Sequence, residues 1–340
     1  MFTFAEKHPL NKILVIRFSS IGDIVLTTPI LRCLKLQQKE VEIHFLTKCM
    51  NFSLINNNPY VYKVHCFKEN LKEILPELKA EKFDCIVDLH GNIRSWQVKK
   101  YLRIPSSTFP KLNIKKWMLV KIKCDLMPDI HVVDRYFKAT ETLNIKNDGL
   151  GLDYFIPEED QISITDLPMN FHEGYVCMVV GSKHATKQLP TEKIVELCKL
   201  LDKPVVLLGD INDRKKAIDI ENILGHYVYN ACGVFNINQS ASIINQSSVV
   251  ITPDTGLMHI ASALKKPIIS IWGNTVPQLG MYPYMPDNLK TIAHIFEVKG
   301  LSCRPCSKLG YSACPKKHFN CMNQQDLQAI VLLVNQYLNS

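Results

Sequence analysis

The chain has 340 residues, 46% of them hydrophobic and 21% charged, so it is long enough for two ordinary domains and is neither disordered nor fibrous in composition. Its formal net charge of +8 indicates an anionic partner, and nucleic acid, a membrane surface or a phosphorylated substrate would each qualify. The sequence has no run of about 18 apolar residues, and residues 1–11 lack the apolar core of a secretion signal. We therefore expect a cytoplasmic protein.

Short β-branched runs alternate with helical patterns from one end of the chain to the other. Several of the runs are apolar almost throughout, as strands buried on both faces are. This alternation predicts an α/β fold with parallel sheets and helices on both faces. Strands are predicted at 12–18, 41–46, 62–67, 83–89, 175–180, 204–208, 249–252 and 267–272, and helices at 24–36, 71–80, 191–201, 255–264 and 324–338.

The alternation pauses between about residues 156 and 174, where Pro157, Pro168 and Gly174 fall in a stretch without periodicity. We interpret residues 157–174 as a linker between two domains. The first domain then covers residues 1–156 and the second 175–323, followed by a closing helix at 324–340. The predicted architecture is two doubly wound, Rossmann-like domains that face each other across a cleft.

The loop after the first predicted strand carries Ser19, Ser20, Gly22 and Asp23. In parallel α/β sheets, ligands bind outside the carboxyl ends of the strands, and this loop follows such an end. A carboxylate at the mouth of a cleft can take a proton from an attacking hydroxyl, which makes Asp23 a candidate general base. The two serines and Asp23 are equally suited to cap the next helix, so local spacing leaves both roles open.

In the second half, Ser182, Thr186 and Lys187 follow the strand at 175–180. Hydroxyls and a lysine at a strand end suit a diphosphate, on which the ammonium acts as a point charge. The alternative is a solvated loop lysine. Gly209 and Asp210 follow the next strand and are candidates for the wall around a base or ribose.

A further strand end leads into a helix through Asp254, Thr255, Gly256 and Leu257. The backbone N–H groups of the last three would offer free donors and a positive dipole end to a phosphate. The carboxylate of Asp254 would either cap the helix or accept hydrogen bonds from sugar hydroxyls. His259, one turn on, is either a core histidine or a ligand contact.

Taken together and in order, six segments resemble the heptosyltransferase family, which transfers heptose from ADP-heptose to the growing lipopolysaccharide core. The resemblance implies a GT-B fold, in which the first domain binds the acceptor and the second binds the donor. It also implies an inverting transfer that requires no cofactor and no catalytic metal. The matching segments are 12–29 (KILVIRFSSIGDIVLTTP), 84–95 (DCIVDLHGNIRS), 180–190, 204–210, 251–263 (ITPDTGLMHIASA) and 267–273.

The same resemblance implies roles for individual residues. Asp23 corresponds to the proposed base, and Lys187 to the lysine that contacts the diphosphate. Many relatives carry a tryptophan before the proline of the donor loop, where this chain reads Lys-Gln-Leu-Pro at 187–190, so donor packing is expected to differ there. The phosphates and sugar are expected to contact Asp254, Thr255, Gly256, Leu257 and His259.

Residues 99–123 contain eight basic residues and no acidic one, with Trp96 and Trp117 beside or among them. A solvated basic face, a surface for an anionic glycolipid at the inner membrane, and an RNA-binding surface all fit this pattern. The chain has no recognisable RNA-binding motif, so we expect no nucleic-acid partner, and we expect a monomer. His90 and Arg94 follow a strand end and are candidates for acceptor binding, with the guanidinium suited to a carboxylate or phosphate.

Cysteines fall into two groups. We interpret eight scattered ones as small core residues: Cys33, Cys49, Cys66, Cys85, Cys124, Cys177, Cys198 and Cys232. The other four, with His318 among them, are ligand types of a structural zinc site, but reduced packing thiols and disulfide pairing are open alternatives, and none implies catalysis. They are Cys303, Cys306, Cys314 and Cys321.

The expected function is therefore an inverting glycosyltransferase that moves heptose or a related sugar from an ADP-activated donor to a lipopolysaccharide-core or similar glycolipid. A non-catalytic nucleotide- or glycan-binding protein on the same scaffold is the alternative. The presence of both Asp23 and Lys187 favours the enzyme.

Overall fold

The computed structural model describes residues 10–338, and these form two compact units. The first unit comprises residues 10–111 and 130–155, and the second comprises 112–129 and 156–338. Each unit is built on one parallel sheet, as predicted. No helix within 10–338 is both long enough and apolar enough to cross a membrane.

Eleven strands and twelve α-helices are defined in the described part of the chain. The strands are β1 (Lys12–Ile16), β2 (Glu42–Lys48), β3 (Lys63–Phe67), β4 (Cys85–Asp88), β5 (Ser106–Thr108), β6 (Val176–Val179), β7 (Val205–Leu208), β8 (Val228–Asn230), β9 (Val249–Pro253), β10 (Ile268–Trp272) and β11 (Ala293–Glu297). The helices are α1 (Ile21–Val25), α2 (Thr28–Gln37), α3 (Leu75–Ala80), α4 (Ile93–Leu102), α5 (Asn113–Lys121), α6 (Val132–Phe137), α7 (Thr191–Leu201), α8 (Arg214–Leu224), α9 (Ile237–Gln246), α10 (Gly256–Ala263), α11 (Asn320–Asn323) and α12 (Leu327–Leu338).

The sheet of the first unit has the order β3-β2-β1-β4-β5, and every pairing is parallel. Its central strand, β1, is apolar because it is covered on both faces; the side chains of Leu14 and Ile16 lie in a core shared with Leu46, Phe67 and Ile86. This is the strand order of a Rossmann-like sheet, with the first strand in the middle.

The helix predicted at 24–36 is two helices in the structure. The first, α1, ends at Val25, and α2 begins at Thr28 with Pro29 in its first turn. Proline cannot donate the backbone hydrogen bond that a continuous helix needs at that position. The hydroxyls of Thr27 and Thr28 donate instead to the carbonyls of Ile24 and Val25, at 2.7 and 2.8 Å.

The sheet of the second unit has the order β11-β10-β9-β6-β7-β8, again parallel throughout. Its first strand, β6, is central, with the next two strands on one side and the last three on the other, which is the complete Rossmann order. Helices α7, α8 and α12 contribute to the core on one face, and α9 and α10 to the core on the other.

All eight predicted strands are confirmed, and three short ones were missed. The missed strands are β5, β8 and β11, which lie at or near the sheet edges. Neither β5 nor β11 has a fully buried residue, because each has only one strand neighbour and an open flank. Without a buried apolar run, their sequences carry little strand signal.

The segment 112–129 packs within the second unit, although the prediction placed it in the first domain. Leu119 on α5 lies in an apolar cluster with Val276 and Leu279. The ammonium of Lys123 donates to the carbonyls of Cys303 and Pro305, at 3.2 and 2.5 Å. Because of these contacts the segment belongs to the second unit, although in the sequence it lies between two segments of the first unit.

Cys49 and Cys66 form a disulfide, which corrects their interpretation as core thiols. The parallel register of β2 and β3 pairs Thr47 with Cys66, and this brings Cys49, just past the end of β2, within 4.8 Å of Cys66 between Cα atoms. Five other scattered cysteines are buried as expected, while Cys124 is half-buried.

Arg32 on α2 connects the first unit's core to the chain that returns at 148–153. Its buried guanidinium makes two hydrogen bonds of 2.8 Å to the carboxylate of Asp148 and others to Asp153 and the carbonyl of Gly151. A buried cation of this kind is stable only with its partners in place.

We predict that Arg32→Met lowers the free energy of unfolding by about 2–4 kcal/mol, because it leaves two partly buried carboxylates without their cation. Urea unfolding measures the change. Lys138→Met is the control, since Lys138 makes an exposed pair with Glu141 and its loss is expected to cost under about 0.5 kcal/mol. Equal losses for the two variants would contradict this account of Arg32.

Candidate active site

The candidate residues lie at the points where strand order reverses. In the first unit, the loops after β1 and β4 flank that point; in the second, the loops after β6 and β9 do so. Open parallel sheets bind ligands in the crevice at this position, because neighbouring loops diverge there. Each unit therefore presents the predicted residues where its topology favours a ligand.

Asp23 is held by four groups of its own unit. Its Oδ2 accepts hydrogen bonds from the hydroxyl and the backbone N–H of Ser20, at 2.7 and 3.2 Å. Its Oδ1 lies 2.6 Å from Nη2 of Arg17 and accepts from the hydroxyl of Tyr136 at 3.4 Å. The carboxylate thus caps α1 and stays 22% exposed, so the two roles that the sequence left open are compatible.

Arg17 fixes the loops around Asp23. Its guanidinium is buried and donates to the carbonyl of Ser19 at 2.8 Å and to that of Leu89 at 2.5 Å, so it connects the loops after β1 and β4. Burial raises the pKa of Tyr136, whose hydroxyl therefore keeps its proton and donates to Asp23. Neither residue was predicted from the sequence, although a charged residue at the end of an apolar strand was a signal for Arg17.

The loop after β4 is organised by Asp88, which the sequence analysis also missed. Its buried carboxylate accepts from the N–H groups of His90 and Gly91, at 3.0 and 2.8 Å, from the hydroxyl of Ser95 at 2.8 Å, and lies 2.9 Å from the ammonium of Lys99. Burial alone would raise the pKa of Asp88, but these donors outweigh it and lower the pKa. The loop that carries the acceptor candidates is therefore rigid.

His90 and Arg94 differ in their surroundings. The imidazole of His90 packs against the ring of Phe18, with ring centroids 4.8 Å apart. Burial, with the nearby charges of Arg17 and Lys111, lowers the pKa of His90 to about 4, so it is neutral near pH 7. Arg94 is exposed in the first turn of α4. Only Arg94 therefore presents a solvated cation.

In the second unit, Lys187 is paired with Asp254. The ammonium lies 2.5 Å from Oδ2 of Asp254 and 3.2 Å from its carbonyl oxygen, and the same carboxylate accepts from the hydroxyl of Thr275 at 3.0 Å. A carboxylate by itself would repel a bound phosphate. Its pairing with the ammonium of Lys187 offsets that charge and accounts for an acidic residue at this position. Asp254 positions the cation at the start of α10.

The amino terminus of α10 has the features of an anion site. The helix begins at Gly256, and the preceding residue, Thr255, is extended and makes no side-chain cap. The first N–H groups of the helix are thus available to a phosphate, alongside the ammonium of Lys187. His259 is buried in this helix, as the core-histidine alternative requires.

The loop after β6, which carries Thr186 and Lys187, is held by hydrogen bonds to Tyr311 and by one within the loop. Thr186 is buried, and its hydroxyl accepts from the N–H of Tyr311 at 2.8 Å and donates to the carbonyl of Tyr311 at 3.2 Å. The carbonyl of Ser182 accepts from the side-chain amide of Gln188 at 2.9 Å. These bonds give Thr186 a structural role and hold Lys187 in place.

Asp213 ends the connection between β7 and α8, and its side chain reaches the loop after β6. A Cβ on Gly181 would come within 1.8 Å of its carboxylate, and one on Gly209 within 2.8 Å of its Cβ, so a side chain at either position would displace Asp213. Its Oδ2 accepts from the N–H of Asp210, which caps the turn that follows β7. Burial raises the pKa of Asp213. Gly209 and Asp210 were predicted from the sequence as part of this site, and Asp213 was not.

The four C-terminal cysteines, all within the described part of the chain, are near one another, but no three of their sulfur atoms lie within 4.8 Å of each other. Within residues 10–338, the group of three or more potential metal ligands whose atoms approach each other within 4.8 Å is His44, His65 and Glu81. In the cysteine cluster, Sγ of Cys303 lies 3.9 Å from Nε2 of His318. Zinc binding by these cysteines therefore stays a prediction.

Comparison with known proteins identifies the family. The model of glycosyltransferase family 9 (heptosyltransferase) matches residues 72–308, more than two-thirds of the chain. The chain belongs to this family, and it is a glycosyltransferase. It is 24% identical over 293 residues to lipopolysaccharide heptosyltransferase 1 of Campylobacter coli, covering 78% of this chain and 84% of that protein. It is 20% identical to the lipopolysaccharide core heptosyltransferase OpsX of Haemophilus influenzae, covering 97% of each.

Solved structures confirm the predicted GT-B fold class. Heptosyltransferase II of E. coli superposes with a TM-score of 0.73 at 19% identity, covering 96% of this chain and 98% of that one. The E. coli heptosyltransferase WaaC with ADP superposes with a TM-score of 0.69 at 19% identity, covering 96% and 99%. Identities this low establish the fold alone.

We predict that Lys187→Met weakens binding of ADP by about 10–100-fold, since a charge-assisted hydrogen bond to phosphate contributes about 1.5–3 kcal/mol. Asp254→Asn should weaken it less, because the ammonium remains but loses its anchor. Calorimetric titration gives the dissociation constants. Lys183→Met, in the same loop but exposed, is the matched control and should bind ADP normally. If Lys183→Met lost as much affinity as Lys187→Met, the assignment of the phosphate site to Lys187 and the start of α10 would be wrong.

Proposed function

We propose that the protein transfers heptose, with inversion, from ADP-heptose to a lipopolysaccharide-core acceptor. The observation that carries the proposal is the placement of Asp23, a carboxylate that is oriented by the buried Arg17 and still partly open to solvent. Family membership supports it, as do the relatives named for lipopolysaccharide heptosyltransferase activity. The assignment of individual site residues belongs to this proposal.

In the proposed reaction, the oxygen of an acceptor hydroxyl attacks the anomeric carbon of the donor sugar. The bond from that carbon to the diphosphate breaks, and ADP leaves with the electron pair. Asp23 accepts the proton of the hydroxyl. A single displacement of this kind inverts the anomeric centre.

The leaving group acquires charge as the bond breaks, and the second unit has the groups to stabilise it. The ammonium of Lys187 and the first N–H groups of α10 are already oriented, so little reorganisation is needed when charge develops. The E. coli WaaC structure was solved with ADP, which supports an adenine nucleotide here. The carboxylate of Asp213, beside Gly181 and Gly209, is suited to accept hydrogen bonds from donor hydroxyls.

We predict that Asp23→Asn lowers kcat by at least about 100-fold, because the amide keeps the shape but cannot accept the proton. The affinity for ADP should be unchanged, since Lys187 and α10 are intact. Acceptor-dependent ADP release and calorimetry measure the two quantities. Asp129→Asn, an exposed isosteric change in the same chain, is the control. Normal turnover by Asp23→Asn would contradict the assignment of the base.

The acceptor is proposed to be reached at an anionic membrane surface through α5. Ile114 and Trp117 on this helix are 76% and 56% exposed, and Lys115, Lys116 and Lys121 accompany them. Exposed apolar and aromatic side chains beside basic ones favour binding at the headgroup level, where each basic residue adds about 1 kcal/mol. We further propose that the protein acts in the cytoplasm as a monomer.

We predict that the protein cosediments with vesicles containing anionic lipid and not with neutral ones. Trp117→Ala combined with Lys115→Gln should weaken this binding by about tenfold or more, because the variant loses an apolar anchor and a charge. Lys199→Gln, exposed on α7, is the control for net charge. Equal binding by the variant and the control would exclude α5 as the contact.

A further inference from the structure

A cluster of buried polar groups in the first unit has no part in the proposed transfer. His44 on β2 and His65 on β3 lie on the same face of the sheet, since the register pairs His44 with Lys63, two residues before His65. Lys12 and Glu42, the first residues of β1 and β2, also contact the cluster. It therefore lies toward the amino-terminal ends of the strands, whereas Asp23 follows a carboxyl end.

Three potential ligand atoms converge in this cluster. Nδ1 of His44 lies 2.9 Å from Nε2 of His65, and both imidazoles are fully buried. Oε1 of Glu81, just past the end of α3, lies 3.9 Å from the same Nε2 of His65. One potential ligand atom from each of the three residues lies within 4.8 Å of the other two.

The outer nitrogens of the two rings face carboxylates. Nδ1 of His65 lies 2.7 Å from Oε1 of Glu77, a contact that requires the hydrogen on Nδ1 and leaves a lone pair on Nε2. Nε2 of His44 lies 3.6 Å from Oε2 of Glu42 and makes no hydrogen bond to any described residue.

Neither neutral tautomer of His44 satisfies this arrangement. With its hydrogen on Nδ1, the lone pair on Nε2 faces the carboxylate of Glu42. With its hydrogen on Nε2, two lone pairs face each other across 2.9 Å, between His44 and His65. A cation held between the inner nitrogens removes both conflicts, and carboxylates behind the outer nitrogens are the usual support of histidine ligands.

The surrounding charge also favours a cation. Glu42, Glu77 and Glu81 supply three negative charges, and Lys12 and Lys63 supply two positive ones. Oε1 of Glu81 is 2.7 Å from the ammonium of Lys63, which also lies 3.1 Å from Glu77. Lys63 can therefore remain with Glu77 when Glu81 turns to a metal ion, while Lys12 keeps Oε2 of Glu81 at 3.3 Å.

We propose that His44, His65 and Glu81 form a binding site for a transition-metal dication, with Zn²⁺ the best match to two imidazoles and a carboxylate. Two nitrogens bound to tetrahedral zinc at about 2.0–2.1 Å lie about 3.3 Å apart, so the pair opens by roughly 0.4 Å. The fourth position is left to water. Because the ligands come from β2, β3 and the end of α3, the ion stabilises the first unit and takes no part in transfer.

The test uses the full chain with the Cys49–Cys66 disulfide intact, freed of metal with a chelator that is then removed. Addition of ZnCl₂ near pH 7.5 should raise the melting temperature, while MgCl₂ should not. Glu81→Gln should weaken zinc binding by about tenfold or more. Each zinc-induced shift is measured from that variant's own metal-free baseline, because Glu81 also pairs with Lys12 and Lys63. Glu73→Gln, exposed in the turn before α3, is the control.

The C-terminal cysteines are a competing zinc site, so the measurement is repeated with Cys303→Ser and Cys306→Ser combined. Cobalt(II) provides a second readout that does not depend on stability, since thiolate ligands give an intense charge-transfer band and imidazole with carboxylate does not. A zinc-induced shift that survives the serine changes and is reduced in Glu81→Gln supports the proposal. The absence of a shift, a shift removed by the serine changes, or equal shifts in Glu81→Gln and Glu73→Gln would overturn it.

Discussion

The ion pair between Arg17 and Asp23 is the interaction on which the first unit's site depends. A guanidinium buried at the end of an apolar strand is stable only with an anion and filled hydrogen bonds, and removal of one partner of such a pair costs about 3–5 kcal/mol. Asp23 supplies the anion, and the carbonyls of Ser19 and Leu89 each accept a further hydrogen bond. The same contacts orient Asp23 and fix the two loops beside it. One set of interactions therefore stabilises this strand end and positions the proposed base.

The second unit uses the same principle with the charges reversed. There the residue proposed to act on substrate is a cation, Lys187, and the group that positions it is an anion, Asp254. Asp254 in turn is held by Thr275, and the loop that carries Lys187 is held through Thr186 to Tyr311. In each unit, the residue proposed to act on substrate is thus oriented by an opposite charge at the strand end. Both arrangements lie where the strand order reverses, which parallel topology alone determines.

The sequence predicted what local pattern encodes. Central strands were visible as apolar runs, and Asp23 was visible because its loop follows such a run. Contacts between residues far apart in the sequence could not be predicted from local patterns. Tyr136 contacts Asp23 across 113 positions, and the disulfide between Cys49 and Cys66 follows from the register of β2 and β3. The role of Asp254 was ambiguous for the same reason, because its partner Lys187 lies 67 positions away. The edge strands β5 and β11 were missed because they bury no residue fully.

The most direct test of the account is a transfer assay with the purified wild-type chain, ADP-heptose and a lipopolysaccharide-core acceptor. ADP release is followed in parallel with the mass of the glycolipid. The account predicts ADP release only when both substrates are present, with one heptose added for each ADP released. No turnover with the acceptor present, or equal ADP release without it, would contradict the proposed function.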